Sequence, residues 1–222
     1  MNGLHPSLLQ KDISAVLRKY PELELIKEQG TPKSLEGIIS IYGVSGEKSY
    51  GTFHIRVNVP LGYPNEFPSL RELSKLIPRI LDRHVYGDGN CCVTVLQRQV
   101  IEAKKGISLE RYFSQYVIPY LANQLFFEAT GSWANGEYEH GYHGLIQFYV
   151  ETINTENLPV LLTAIEIAKR EIEEPKICFC GSERKYKKCH MKVVDELSLL
   201  DKERLSYDYF QIEQFMISRL KL

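Results

Sequence analysis

The chain has 222 residues, 44% of them hydrophobic and 25% charged, with a formal net charge of −1. That length suits one main domain with an appendage, the composition is that of an ordinary soluble globular protein, and the near-neutral balance supplies no basic field for nucleic acid. No apolar run approaches the ~18 residues that span a bilayer, and Met1 to Ile13 lacks the basic-then-apolar order of a secretory leader, so a cytoplasmic protein is expected.

The elements follow from hydrophobic spacing. Leu9, Ile13, Val16, Leu17 and Tyr20 recur at helical intervals from Pro6 to Tyr20, and Pro21 ends the run. Leu23 to Lys27 reads as a short strand, Gly30 to Lys33 as a turn, and Leu35 to Tyr42 as a second strand. Gly43 to Lys48 is a polar hairpin loop. Tyr50 to Val59 then places Phe53, Ile55, Val57 and Val59 on one face, the period of a half-buried strand. Ser108 to Ala129 predicts a long helix capped by Ser108, with Leu109, Phe113, Tyr116, Val117, Leu121 and Leu125 as its buried stripe and a kink at Pro119. Thr130 to Gly144 is loop-like. His143 to Asn154 and Leu158 to Glu173 predict two further helices, and Asp195 to Leu222 is helical in period. The break at Glu173-Glu174-Pro175 divides the chain into 1–174 and 175–222.

The five cysteines fall in two clusters, Cys91 and Cys92, then Cys178, Cys180 and Cys189. This is no disulfide framework; metal binding and thiol chemistry in a reducing compartment fit it better. The spacing Cys178-x-Cys180-x₈-Cys189-His190 supplies three thiolates and an imidazole, a closed tetrahedral set for which zinc in a structural role is expected. Gly181 permits the tight turn between the ligands. The segment resembles the SEC-C zinc motif, with Glu183 at a position where that motif commonly has glycine. Its basic run, Arg184 to Lys188, sits inside this motif.

A second stretch carries chemistry. Phe53 to Pro60 leads into Tyr63-Pro64-Asn65-Glu66-Phe67-Pro68, and Gly89-Asn90-Cys91-Cys92-Val93-Thr94-Val95-Leu96 follows. This order resembles the core of ubiquitin-conjugating (UBC) enzymes. The resemblance implies an α+β fold with an N-terminal helix, a four-stranded antiparallel meander and C-terminal helices. It implies that Cys92 carries a ubiquitin-like protein as a thioester, with Val93 and Leu96 packing beneath the site, and that an activating enzyme and a target protein with a lysine or other amine are the partners. The His-Pro-Asn motif of such enzymes corresponds to Arg83-His84-Val85-Tyr86, where only the histidine remains; Asn90, Asn135 and His140 are candidate substitutes. Further on, Trp133 to Gly144 resembles a Gly-Glu-x-x-His-Gly-x-x-Gly stretch of bacterial members of this superfamily, some encoded near antiviral defence genes. There His140 is the candidate to assist an incoming amine at Cys92, while His143 reads as a packing residue. A catalytically silent adaptor of the same fold is the competing expectation.

Overall fold

The computed structural model describes residues 6–26, 33–43, 49–134 and 141–220. His140, Asn135, most of the Gly43–Lys48 loop and most of the Gly30–Lys33 turn lie outside the described residues. The protein is α+β and divides into two compact units. One comprises residues 1–94 and 102–137, the other 95–101 and 138–222. The division expected at 174/175 lies inside the second.

In the first unit, helix α1 (Pro6–Lys19) precedes strands β1 (Leu23–Ile26), β2 (Lys33–Tyr42), β3 (Ser49–Val59) and β4 (Ser69–Glu72). The strands pair antiparallel in the order β1-β2-β3-β4. The alternation in β3 is realised: Phe53, Ile55, Val57 and Val59 are all buried, and so are Leu9, Ile13 and Val16 of α1. Where β2 passes the start of β1, Gly37 has φ +151, and a Cβ there would stand 2.0 Å from the Glu22 carbonyl. Only glycine permits that approach. The Tyr-Pro turn is a tie rather than a mere connection. Tyr63 is buried, its hydroxyl donates to the Asp12 carboxylate of α1, and it accepts the Leu109 N–H at 2.8 Å.

After β4 come a 3₁₀ turn (Leu81–Arg83) and helix α2 (Leu96–Lys105). The long helix then forms in three parts: α3 (Leu109–Tyr112), a π-helical turn (Phe113–Val117) and α4 (Ile118–Thr130). Ser108 caps it by accepting the Arg111 N–H. Pro119 does not end the helix. The turn before it is widened instead, so that the Ile118 N–H donates to Phe113, five residues back, and the missing proline donor falls where bonding has already been rearranged. The widening also sets the phase of the buried face. On a plain α-helix, turning about 100° per residue, Val117, Tyr120, Leu121 and Gln124 would project roughly 80° away from Leu109, Tyr112 and Phe113. The π turn takes up that rotation, and all seven are buried.

The core of this unit joins α1, the sheet and the long helix. A Cβ on Gly51 of β3 would meet Leu125 at 2.7 Å, which shows how closely α4 lies on the strands. Leu121 is fully buried in this core. Leu121→Ala is expected to cost about 2–5 kcal/mol, read as a lowered midpoint in a denaturant titration.

The second unit contains helices α5 (Tyr142–Ile153), α6 (Leu158–Lys169), α7 (Met191–Leu197) and α8 (Lys202–Leu220), with a 3₁₀ turn at Tyr186–Lys188. Asn157 caps α6 by accepting the Val160 N–H. The run expected as one helical period from Asp195 is broken: α8 restarts at Lys202, where the Asp201 carboxylate accepts the Arg204 N–H at 2.7 Å. Asp208 of α8 is buried. It is satisfied by the Gln97 side-chain amide at 3.0 Å and by the Tyr149 hydroxyl at 2.9 Å. Desolvation holds its carboxyl above the ordinary range. His143 packs between rings, 4.0 Å from Tyr142 and 5.6 Å from Phe215.

Candidate functional site

Cys91 and Cys92 lie on the return arm of a short hairpin. Val85 and Cys91 bridge antiparallel, the Tyr86 N–H donates to the Asn90 carbonyl at 2.9 Å, and the Cys92 N–H donates to the His84 carbonyl at 2.8 Å. The other edge of the arm extends the sheet. The Cys91 N–H donates to the Leu70 carbonyl, and the Glu72 N–H donates to the Gly89 carbonyl, each at 2.9 Å. Gly89 has φ +88, and a Cβ would stand 2.9 Å from the Glu72 carbonyl, so the close crossing requires glycine. Two guanidiniums brace the tip: Arg79 Nη1 donates to the Gly87 carbonyl at 3.0 Å and Arg71 Nε to the Asp88 carbonyl at 2.7 Å.

Extended residues alternate sides, and this separates the adjacent thiols. Cys91 and Val93 pack against the core beside buried Val85. Cys92 takes the opposite side, with His84 across from it and Tyr86 on the diagonal. Burial pushes the Cys91 thiol up to about 12, so it stays neutral. Desolvation also raises the half-buried Cys92 thiol, while the neighbouring Tyr86 hydroxyl acts in the other direction. In its neutral form the Cys92 thiol donates to the Thr94 carbonyl at 3.8 Å.

His84 serves this site through its main chain. Its φ is +52, its carbonyl holds the Cys92 amide, and the Tyr120 hydroxyl donates to the same carbonyl at 3.3 Å. Its ring lies 5.8 Å from Trp133, which packs on Phe127 at 4.5 Å. The Asn90 side-chain amide is engaged by Asp88 at 2.5 Å. Of the two apolar residues expected beneath the thiol, Val93 packs against the core of the first unit, whereas Leu96 opens α2 within the second unit and is 45% exposed. Tyr86, Arg71 and Arg79 were not singled out by sequence spacing. The Gly87-Asp88-Gly89-Asn90 run is a strong turn signal between Val85 and Cys91, and folding the chain there brings Tyr86 to Cys92.

The second cluster is built differently. Residues 176–186 fold back on themselves. Ile177 and Lys185 form an antiparallel bridge, the Cys178 N–H donates to the Arg184 carbonyl at 2.8 Å, and buried Tyr186 anchors the return. Between them Gly181 and Glu183 both take left-handed conformations, at φ +79 and +59. The 3₁₀ turn then delivers Cys189 and His190 to the same point. The ligand atoms of Cys178, Cys180, Cys189 and His190 all lie within 4.8 Å of one another. Cys180 and Cys189 sulfurs are 3.7 Å apart, and His190 Nδ1 is 3.1 Å from Cys178 Sγ and 3.3 Å from Cys189 Sγ.

Residues 176–192 match the SEC-C motif. No curated protein matches the chain. The SEC-C geometry suits a four-coordinate metal ion: two sulfurs each about 2.3 Å from a tetrahedral centre stand about 3.8 Å apart. The outer contacts point the same way. His190 Nε2 donates to the Ile153 carbonyl at 3.0 Å, which leaves the Nδ1 lone pair available to a metal ion held among the sulfurs. The Ser182 hydroxyl lies 3.2 Å from Cys180 Sγ and 3.4 Å from Cys189 Sγ. Desolvation opposes ionisation of Cys180, but hydrogen bonds from Ser182 and the two other cysteines outweigh it and hold this thiol at about 6. Among the described residues no helix is long and apolar enough to cross a membrane.

Proposed function

We propose that this chain is a bacterial ubiquitin-conjugating-like transferase with a zinc-holding SEC-C module. Cys92 accepts the C-terminus of a ubiquitin-like protein from an activating enzyme as a thioester, then passes it to an amine of a target protein. A thiol suits this work because thioester exchange is nearly isoenergetic and its product stays reactive toward amines. The observation that carries the reading is the placement of the two cysteines: Cys91 packs into the core and Cys92 faces away from it, on an arm continuous with the edge of a four-stranded antiparallel sheet. The setting inferred is a cytoplasmic conjugation pathway of the kind encoded with antiviral defence genes. His140 retains its proposed part in the amine step, and His84 acts by holding the Cys92 main chain.

For the SEC-C module, three thiolates and one imidazole with no open position favour zinc in a structural role. One observation favours a second reading, a catalytically silent adaptor: burial raises the Cys92 thiol instead of lowering it. Intact-mass spectrometry after mixing the chain with activating enzyme, ubiquitin-like protein and ATP separates the two. A reductant-sensitive adduct on Cys92 is expected. No adduct, together with no alkylation of Cys92 in the native protein, would establish the adaptor.

A further inference from the structure

We infer that Tyr86 is a catalytic residue of this site, its hydroxyl being the hydrogen-bond donor to the Cys92 sulfur whenever that sulfur carries negative charge. The inference rests on the thioester-carrier reading for its role in transfer, but the pairing itself stands on the hairpin. The Tyr86 N–H bonds to the Asn90 carbonyl, the Cys92 N–H bonds to the His84 carbonyl, and Val85 and Cys91 bridge between them. In that register the outward residues of the two arms meet, and Tyr86 is the diagonal neighbour of Cys92. Tyr86 is half-exposed, so its hydroxyl stays accessible where a donor's tail and an acceptor amine must arrive.

The Thr94 carbonyl that the sulfur touches and the Tyr86 hydroxyl that the register brings beside it suit different states of the sulfur. The Thr94 carbonyl can only accept, so it serves the neutral thiol. A thiolate loses that bond and needs a donor, and the Tyr86 hydroxyl is the group that favours the ionised sulfur. Of the other titratable groups near this sulfur, His84 stands directly across the hairpin from it, and Cys91 and Tyr120 stay neutral. Desolvation pushes Cys91 up to about 12 and raises the Tyr120 phenol of α4 well beyond its ordinary range. The reciprocal effect falls on Tyr86, whose phenol is raised first by the Cys92 charge.

Negative charge appears on this sulfur twice in the cycle. In charging, the Cys92 thiolate attacks the carbonyl of the donor thioester, a new C–S bond forms, and the donor's sulfur leaves as a thiolate. In transfer, the target amine attacks the carbonyl on Cys92 and a C–N bond forms. The C–S bond then breaks with its electron pair going to Cys92, and the ammonium proton passes to solvent. Tyr86 donates a hydrogen bond to the sulfur as nucleophile in the first step and as leaving group in the second, and keeps its own proton throughout.

Tyr86→Phe keeps the ring and removes the donor. The test is the pH dependence of Cys92 carboxamidomethylation by iodoacetamide in the native full-length chain, followed by peptide mass spectrometry. The midpoint is expected to rise by up to about one pH unit. A thiolate of higher pKa is the better nucleophile, with a Brønsted slope of roughly 0.4–0.5, so the two profiles should cross. The variant should react up to ~3-fold more slowly below the midpoints and up to ~3-fold faster on the alkaline plateau. A change of access would move both limbs the same way, and that outcome, or superimposable profiles, overturns the inference. A second measurement needs no variant. In the wild-type chain with ¹³C-labelled tyrosine, capping Cys92 should move the Tyr86 titration back toward its ordinary value, and an unmoved Tyr86 overturns the pairing. Because alkylation requires no modifier, a crossing profile without any thioester keeps the pair and removes the carrier reading. Normal charging with no midpoint shift does the reverse.

Discussion

Cys92→Ala should abolish the reductant-sensitive adduct with a ubiquitin-like protein, while Cys91→Ala should keep it. The difference arises from the register of one hairpin. Cys91 shares its side of the arm with Val93 and with buried Val85, packs partly buried against the core, and its thiol, pushed up to about 12 by desolvation, stays neutral. Its loss leaves a small void, with a cost in stability of about 1 kcal/mol and no loss of chemistry. On the proposed reading Cys92 holds the nucleophile, so its removal should leave no residual route. Cys92→Ser should give an adduct that forms more slowly and resists thiol reductants, because an oxygen ester replaces the thioester. Intact mass with and without reductant reads all three variants. An adduct that persists in Cys92→Ala and vanishes in Cys91→Ala would reverse the assignment.

Stripping the metal should have the larger structural effect. About one zinc per chain is expected in natively purified protein, by elemental analysis. Cys180→Ser or a strong chelator should remove it and loosen the second unit, while the sheet of the first stays folded. Structural zinc in small modules binds with roughly 10–16 kcal/mol at neutral pH, far more than a fold of this size can forgo locally. The dependence on pH has a definite sign. Metal ligands must be deprotonated, so affinity falls as the medium is acidified, and the low-lying Cys180 thiol stays ionised further into acid than an ordinary cysteine. Tryptic release of fragments from 176–192 at constant neutral pH should therefore accelerate with chelator, and the zinc retained after dialysis should fall as the buffer is acidified. Protein that arrives without any metal, yet resists cleavage equally, would refute the structural role.

The sequence discloses those parts of the molecule whose partners are near in the chain. The four candidate metal ligands span thirteen positions and carry their own geometry, whereas the Ile153 carbonyl that fixes His190 lies 37 residues away and leaves no trace in the spacing. The strict alternation from Phe53 to Val59 reveals both the strand and its buried side. Strand β4 escapes because Ser69–Glu72 offers one apolar residue, Leu70, too little for any period to show. Helix α2 escapes because Leu96–Lys105 is mostly polar and follows the cysteines directly, where the eye reads a site and not an element. The break before α8 was legible: Asp201 is a capping residue, and the step from Leu200 to Leu205 departs from helical spacing. Tyr86 was hidden for the opposite reason, since its partner is close in the chain but becomes a neighbour only after the turn has folded.

The π turn at Phe113–Val117 makes the long helix a spiral with one surplus residue. Deleting Ser114 or Gln115, both exposed, would let the turn tighten to α geometry and return Val117, Tyr120, Leu121 and Gln124 to the azimuth of Leu109 and Phe113. The same tightening would set the ring of Pro119 against a carbonyl one turn back, at a cost of about 3 kcal/mol. The deletion and Pro119→Ala therefore form a compensating pair. Together they convert the helix into an ordinary one that meets the sheet with the same residues, and the deletion alone does not.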